Sequence, residues 1–427
     1  MAQDQDGATR RGLLRATGLT AAGVAIGAAG APGYPPPSPI DAGGVQDGRV
    51  RFPEWRGDAE PPSAPTPNPL PPGERVGYAI IGLGRISLEE TLPAFAESRM
   101  SRPVALVSGS PEKARTVARR YGIAEGSIYS YEELERLREN REVQAVYIGL
   151  PNAMHREYVV RVAGIGKHVL CEKPMATSPE EAAEMVTSCA RANVRLMIAY
   201  RCQYEPYNRA AIEIVRRGEL GKLRFIEATN VQSSGPAPQW RFSRRLAGGG
   251  ALPDIGLYCL NAARYVTGEE PDQLFASSYS PPGDPRWAEI EESVSFGLRF
   301  PSGVVANCLC GYDAFNDKTL RLHFERGTVE MPDAFSYEGQ QMYVSRREGQ
   351  IAVREQRRIP HKNQFALELD HFSECVRANR QPHTPGEEGA HDQALMAAIY
   401  RSAAEGRPIQ APKPPGPTRG PAPSSES

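Results

Sequence analysis

Lys173, Asp254 and Tyr258 are the residues of this chain whose types best suit proton transfer. Lys173 stands in Cys171-Glu172-Lys173-Pro174. Asp254 and Tyr258 stand in Asp254-Ile255-Gly256-Leu257-Tyr258, shortly after Gly248-Gly249-Gly250. A helix would bring Asp254 and Tyr258 to one face, one turn apart. A carboxylate and a phenol beside an ammonium make a workable acid–base group: the lysine lowers the phenol's pKa, and the carboxylate orients hydroxyls. Each residue also has a plainer reading. Lysines after strands are common surface charges, Asp254 could cap a helix, and Tyr258 could be core.

A second constellation binds rather than reacts. Tyr78-Ala79-Ile80-Ile81 runs into Gly82-Leu83-Gly84-Arg85-Ile86-Ser87, a strand opening into the glycine loop of a nucleotide-binding βαβ unit. Gly82 permits the tight turn, and Gly84 lets the backbone approach a pyrophosphate at the helix N-terminus. Ser87 occupies the third glycine position. An acid at the end of the next strand would bind the ribose 2′-hydroxyl of NAD, but here Val104-Ala105-Leu106-Val107 ends in Ser108-Gly109-Ser110, with Lys113 and Arg115 behind. Hydroxyls and a cation hold a 2′-phosphate that an acid would repel, so NADP is the expected cofactor. Ligands of open α/β sheets bind beyond the carboxyl ends of the strands, which places Lys173 in the same cleft with Glu172 beside it to fix the ammonium.

The elements that must position these residues fall into two regions. From residue 74 to 199 strand and helix alternate, with strands expected at 76–81, 103–108, 143–149, 167–171 and 194–199. Ser110-Pro111-Glu112, Ser130-Tyr131-Glu132-Glu133 and Ser178-Pro179-Glu180-Glu181 supply helix starts. Alternation of this kind implies a doubly wound parallel sheet of the Rossmann type. From 200 to 409 the pattern becomes helices at 206–217 and 254–266, then strands at 222–231, 272–279, 292–300, 303–312 and 319–331. Closing helices follow at 364–379 and 386–404. Short turns such as Pro301-Ser302-Gly303 imply an open, mainly antiparallel sheet. The fold class is therefore α/β plus α+β. The Pro/Ser-rich segment 410–427 reads as a disordered tail.

Composition bounds the rest. The 427 residues suffice for two domains, and 50 Lys+Arg against 51 Asp+Glu leave a net charge of −1. No polybasic run follows the N-terminus and no apolar run reaches bilayer length, so neither nucleic acid nor a membrane is an expected partner. Arg10-Arg11-Gly12-Leu13-Leu14 and the small apolar run Ala16 to Ala31 read as a twin-arginine export signal over 1–31. Residues 32–73 hold 13 prolines in 42 positions. They form either an extended spacer or an arm that packs on a neighbour through Phe52, Trp55 and Leu70. The seven cysteines are dispersed and lack zinc spacing, so they read as packing residues, with no metal expected.

Nicotinamide nucleotides are not freely supplied outside the cytoplasm. An exported periplasmic enzyme of this kind must carry its cofactor out and regenerate it in place, which folded twin-arginine transport permits. The rival readings are a cytoplasmic sugar dehydrogenase that exchanges NADP, and a non-catalytic sugar- or nucleotide-binding protein.

The chain resembles the Gfo/Idh/MocA oxidoreductases, through Tyr78 to Gly84, Cys171-Glu172-Lys173-Pro174-Met175-Ala176-Thr177, Tyr200-Arg201-Cys202, Gln239-Trp240-Arg241 and Leu246 to Tyr258. Tyr258 stands where most of that family carries His, and points to its glucose–fructose and aldose–aldose branch. The resemblance implies a tightly held NADP and a ping-pong cycle in which one aldose is oxidised at C1 to its lactone and a second sugar is reduced. It implies Lys173 and Tyr258 as the catalytic pair with Asp254 positioning substrate, and Ser108 and Lys113 on the 2′-phosphate. Asn152 and His155 would lie near the nicotinamide, and Arg201, Trp240 and Arg241 would line the cofactor and sugar pocket. It also implies a homodimer or homotetramer in which the arm clasps a neighbour. Ile86 replaces an aromatic of the glucose–fructose enzymes beside the cofactor.

Overall fold

The computed structural model describes residues 69–423, together with two short strands, β1 (Gly44–Gln46) and β2 (Arg49–Arg51), which pair antiparallel with each other. The export signal, Phe52, Trp55 and residues 424–427 lie outside the described residues.

Six parallel strands form the first sheet: β3 (Val76–Ile81), β4 (Ser101–Val107), β5 (Ile128–Tyr129), β6 (Ala145–Ile148), β7 (His168–Glu172) and β8 (Leu196–Ala199), in the order β5-β4-β3-β6-β7-β8. Every residue of β3 and β6 is buried, as befits strands covered by helices on both faces. After the short α1 (Leu92–Ala94), the helices α2 (Pro111–Tyr121), α3 (Asn152–Gly164) and α4 (Pro179–Arg191) make the crossovers. Ser110 Oγ accepts from Lys113 N at 3.4 Å and Ser178 Oγ from Glu181 N at 3.3 Å, so both expected caps form. Ser130 starts no helix: its N donates to Glu133 Oε2 at 3.2 Å ahead of a 3₁₀ turn, Leu134–Arg138.

The second region holds α5 (Pro206–Arg217), β9 (Leu223–Val231), α6 (Arg244–Ala247), α7 (Leu257–Thr267), β10 (Gln273–Tyr279), β11 (Ser293–Arg299), β12 (Val305–Gly311), β13 (Leu320–Phe324), β14 (Gly327–Met331), β15 (Tyr343–Glu348) and β16 (Ile351–Gln356). The helices α8 (Gln364–Ala378) and α9 (Gly386–Glu405) and the short β17 (Ile409–Gln410) complete it. Its nine-stranded sheet runs β16-β15-β14-β13-β9-β12-β11-β10-β17 and is antiparallel except where β12 pairs with β9. One face packs on α7 and α9, while Phe225, Phe275 and Leu309 stand exposed on the other. The expected strand 319–331 is a hairpin that turns at Glu325-Arg326. The hairpin of β15 and β16 escaped the sequence reading because its residues are largely polar. The helix expected from 254 opens instead with one turn of π-helix, Leu252–Gly256.

All seven cysteines are buried, with Cys308 and Cys310 on the inner face of β12. Among the described residues no group of three or more His, Cys, Asp or Glu could hold a metal ion.

The tail differs from expectation. Residues 410–423 are packed, not disordered: Gln410 pairs with Gln273, Thr418 Oγ1 donates to Glu270 Oε1 at 2.6 Å, Arg419 Nε donates to Glu388 Oε1 at 3.3 Å, and Arg209 donates to Pro423 O at 3.3 Å. These contacts complete an ionic cluster of buried Arg264, Glu388 and Asp392 with partly exposed Glu270, whose charges must be paired to be tolerated away from water.

His371 on α8 and His383 before α9 are buried beside Tyr204, Cys375, Arg380 and Arg209. His371 Nε2 accepts from His383 N at 2.9 Å, and His383 Nδ1 meets Gly420 O at 3.2 Å. Burial, with nearby cations, holds His371 down at about 3 and His383 at about 4. The unfolded chain protonates such rings near about 6.5. Their stabilisation is therefore complete above that pH and is lost as pH falls below it, by up to about 1.4 kcal/mol per pH unit for each ring. The urea midpoint should be flat above neutrality and decline from pH ~6.5 to ~5, and His383→Asn should make that decline shallower by His383's share.

Candidate active site

A cavity of about 720 Å³ opens at the carboxyl ends of the parallel strands, walled on its far side by the second region. Arg85, Ile86, Leu150, Asn152, Glu172, Lys173 and Arg201 line it from the first sheet; Asn230, Trp240, Arg241, Asp254, Tyr258, Lys318 and Tyr337 face them.

The glycine loop fits a dinucleotide. Gly82 has φ +87°, and a Cβ there would stand 2.5 Å from Gly149 O. Gly84 has nothing within 4 Å of a Cβ position, so a phosphate has room against the backbone. Ser87 is tolerated in the third glycine position because Gly149 faces it: a Cβ on Gly149 would come within 2.7 Å of Ser87 Oγ. Lys113 reaches back over the loop, its Nζ donating to Leu83 O at 3.1 Å, and buried Ser108 lies beside it with Oγ accepting from Ser110 N at 3.1 Å. Arg115 turns away to Glu125.

Lys173, leaving β7, reaches the π turn. Its Nζ donates to Asp254 O at 2.7 Å and lies 3.4 Å from Asp254 Oδ1. Asp254 Oδ2 takes Arg241 Nε at 3.2 Å and Tyr312 OH at 2.7 Å. Burial opposes ionisation of Asp254, but Lys173, Arg241 and the Tyr312 hydrogen bond outweigh it and hold the carboxyl at about 2. Arg241 also stacks 4.7 Å from the Trp240 ring centroid.

Tyr258 sits differently from expectation. Lys173 Nζ lies over its ring, 4.7 Å from the centroid, while the hydroxyl accepts from Arg201 Nη2 at 3.1 Å. The cation that acts on the phenol oxygen is thus Arg201, fixed by Gln364 Oε1 at 2.6 Å and by the carbonyls of Phe335 at 2.7 Å and Ser336 at 3.1 Å. Burial pushes the Tyr258 phenol up, and Arg201 is the chief cation that opposes this. The neutral phenol is the form that gives a proton to a carbonyl oxygen. The same contact with Arg201 stabilises the phenolate needed in the reverse direction.

Other expected residues take supporting places. Glu172 holds the backbone of Lys173 rather than its ammonium, accepting from Lys173 N at 3.2 Å and from Tyr147 OH at 2.8 Å. Burial raises its carboxyl, with Lys173 opposing. Asn152 lines the cavity, but its Nδ2 is committed to Ala247 O at 2.8 Å. His155 is wholly buried behind the wall, Nδ1 2.9 Å from Pro174 O and Nε2 2.8 Å from Leu150 O, and braces two loops. Sequence reasoning missed Tyr312, Lys318, Phe335 and Tyr337, which come from loops without a motif.

A Rossmann sheet whose glycine loop opens beside a lysine–carboxylate–phenol cluster defines a nucleotide-dependent oxidoreductase. Residues 76–200 match the model of the oxidoreductase family with an NAD-binding Rossmann fold, and 208–330 match the GFO/IDH/MocA C-terminal domain, so the chain belongs to the Gfo/Idh/MocA oxidoreductase family. It is 31% identical over 333 residues to an NADP D-xylose 1-dehydrogenase of Haloarcula marismortui, covering 77% of this chain and 91% of that one. It is 29% identical to 1,5-anhydro-D-fructose reductase of Ensifer adhaerens over 77% and 97% of the two. Among solved structures, aldose–aldose oxidoreductase of Caulobacter crescentus, complexed with glycerol, superposes with a TM-score of 0.76 at 43% identity, over 79% of this chain and 99% of that one.

Tyr258→Phe should lower kcat/KM for substrate oxidation by about 10²- to 10⁴-fold with little change in melting temperature. A loss below about tenfold in the same steady-state assay would remove the proton-transfer role from the phenol.

Proposed function

We propose that this protein oxidises an aldose at C1 to its lactone with NADP and, keeping the cofactor bound, reduces a second sugar in a ping-pong cycle. The observation that carries this reading is the Lys173–Asp254 contact with Tyr258 and Arg201 beside it, in one cavity with the glycine loop. Bound NADP supplies a hydride acceptor and donor at the nicotinamide C4. Gly82 to Ile86 would hold its pyrophosphate, and Ser108 and Lys113 its 2′-phosphate. The absence of an acid at the end of β4 supports NADP over NAD.

In the oxidising half the Tyr258 phenolate, stabilised by Arg201, takes the proton of the C1 hydroxyl and becomes the neutral phenol, while Lys173 donates to the same oxygen. In the reducing half the neutral phenol returns a proton to the second carbonyl. Asp254 keeps Lys173 and Arg241 in place and has acceptor capacity left for a sugar hydroxyl. The similarity to an aldose–aldose oxidoreductase supports the two-sugar cycle.

Export supports cofactor retention: the Arg10-Arg11 segment belongs to a folded-protein export signal, and a periplasmic enzyme cannot replenish NADP. Exposed Phe225, Phe275 and Leu309 on the open face of the mixed sheet support pairing into a dimer or tetramer. A second reading, a dehydrogenase that exchanges NADP, is favoured by the likeness to NADP D-xylose 1-dehydrogenases.

Purified, extensively dialysed protein should develop reduced-nicotinamide fluorescence on adding glucose without any nucleotide and lose it on adding fructose or a second aldose. Fluorescence that appears only after NADP is supplied would establish the exchanging dehydrogenase instead.

A further inference from the structure

The cavity carries an ammonium that the described residues leave without a counter-charge. Lys318 lies between β12 and β13, where the chain continues beside β9: Val231 N donates to Asp317 O at 2.9 Å, Asp317 N to Val231 O at 3.0 Å, and Thr229 N to Thr319 O at 2.9 Å. In extended backbone, alternate side chains face opposite sides. Asp317 and Thr319 line a depression on the outer face of the sheet with Thr229 and Arg321. Lys318 between them is turned inward and lines the central cavity with Lys173 and Arg201.

Burial and then Arg201 disfavour its charged form, and Lys173 adds to this; Asp333 is the acid that opposes them. Asp333 is not within ion-pair distance of Lys318 and instead accepts from Ser336 Oγ at 3.1 Å. The other acids of the cavity wall answer other groups: Asp254 takes Lys173, Arg241 and Tyr312, Glu172 takes Tyr147 and the backbone of Lys173, Glu89 pairs with Arg85, and Glu90 has Arg201 as its chief charge influence. Arg241 reaches Asp254 through Nε, and its two Nη groups meet no acceptor among the described residues. A partly desolvated cation without an anion is an unfavourable arrangement that a bound carboxylate relieves.

We propose that Lys318 and Arg241, on the wall of one cavity, form a carboxylate subsite, and that the preferred sugar is an acidic one. This rests on the reading of the cavity as a sugar site. Calorimetric titration of the NADP-loaded full-length protein with glucuronate and with glucose tests it without requiring turnover.

Wild type should bind glucuronate at least about tenfold more tightly than glucose, and Lys318→Met should lower glucuronate affinity at least about tenfold more than glucose affinity. Lys318→Arg should restore the preference, which guards against a folding defect. Equal weakening of both sugars would make Lys318 a hydroxyl donor and overturn the proposal, as would glucose binding with no preference for glucuronate. Failure of both sugars to bind would overturn the sugar-site reading with it.

Discussion

The contact between Lys173 and Asp254 is the constraint on which the rest of the molecule is arranged. It joins the end of a parallel strand to a π turn in the second region, 81 residues away in sequence. Both side chains are largely buried, 14% and 18% exposed, so neither charge is tolerable without the other. The π turn turns both the carbonyl and the carboxylate of Asp254 toward the ammonium, and Arg241 and Tyr312 take the opposite oxygen. An ammonium held there stands across the phenol ring of Tyr258 and at the cofactor end of the cavity, where a reacting oxygen must sit.

The frame around this contact is made of buried polar links between the two regions. Arg201 passes from the end of β8 to Tyr258, to Gln364 on α8, and to the carbonyls of Phe335 and Ser336. Asn152 bonds Ala247 O and Gln393 Nε2 donates to Ala176 O at 2.7 Å across the two regions, and within the second Gln203 Nε2 donates to Glu388 Oε1 at 2.8 Å. Such links are favourable only when every partner is present, which gives the cavity one geometry rather than several. His155, Asn152 and Glu172 belong to this frame: they hold the loops that present the reacting groups.

What the sequence revealed follows from what each element must bury. The parallel strands are covered on both faces, so Val76–Ile81 and Ala145–Ile148 read as apolar runs. The helix caps at Ser110 and Ser178 read directly because the hydroxyl and the following Pro do local work. The edge hairpin Tyr343–Gln356 has no such pattern, and the Pro/Ser-rich tail hides the two residues, Thr418 and Arg419, that anchor it to the acids of the ionic cluster. Within the site, Lys173, Asp254 and Tyr258 were legible as types, but their pairing was not. Spacing predicted Asp254 and Tyr258 on one face, and both do face the cavity, but it could not show that the π turn gives Asp254 to Lys173 and leaves the Tyr258 hydroxyl to Arg201, 57 residues away. Tyr312 and Lys318 carried no local signal, since only the pairing of β9 with β12 and the bridge at Asp317 bring Tyr312 to Asp254 and Lys318 to the cavity.

A double-mutant cycle on kcat/KM with Lys173→Met, Asp254→Asn and the combined variant tests the central claim most directly. If the two residues act as one unit, the double variant is no worse than the poorer single variant, with a coupling energy of at least about 1.5 kcal/mol. Losses that simply multiply would show two independent side chains and contradict the account.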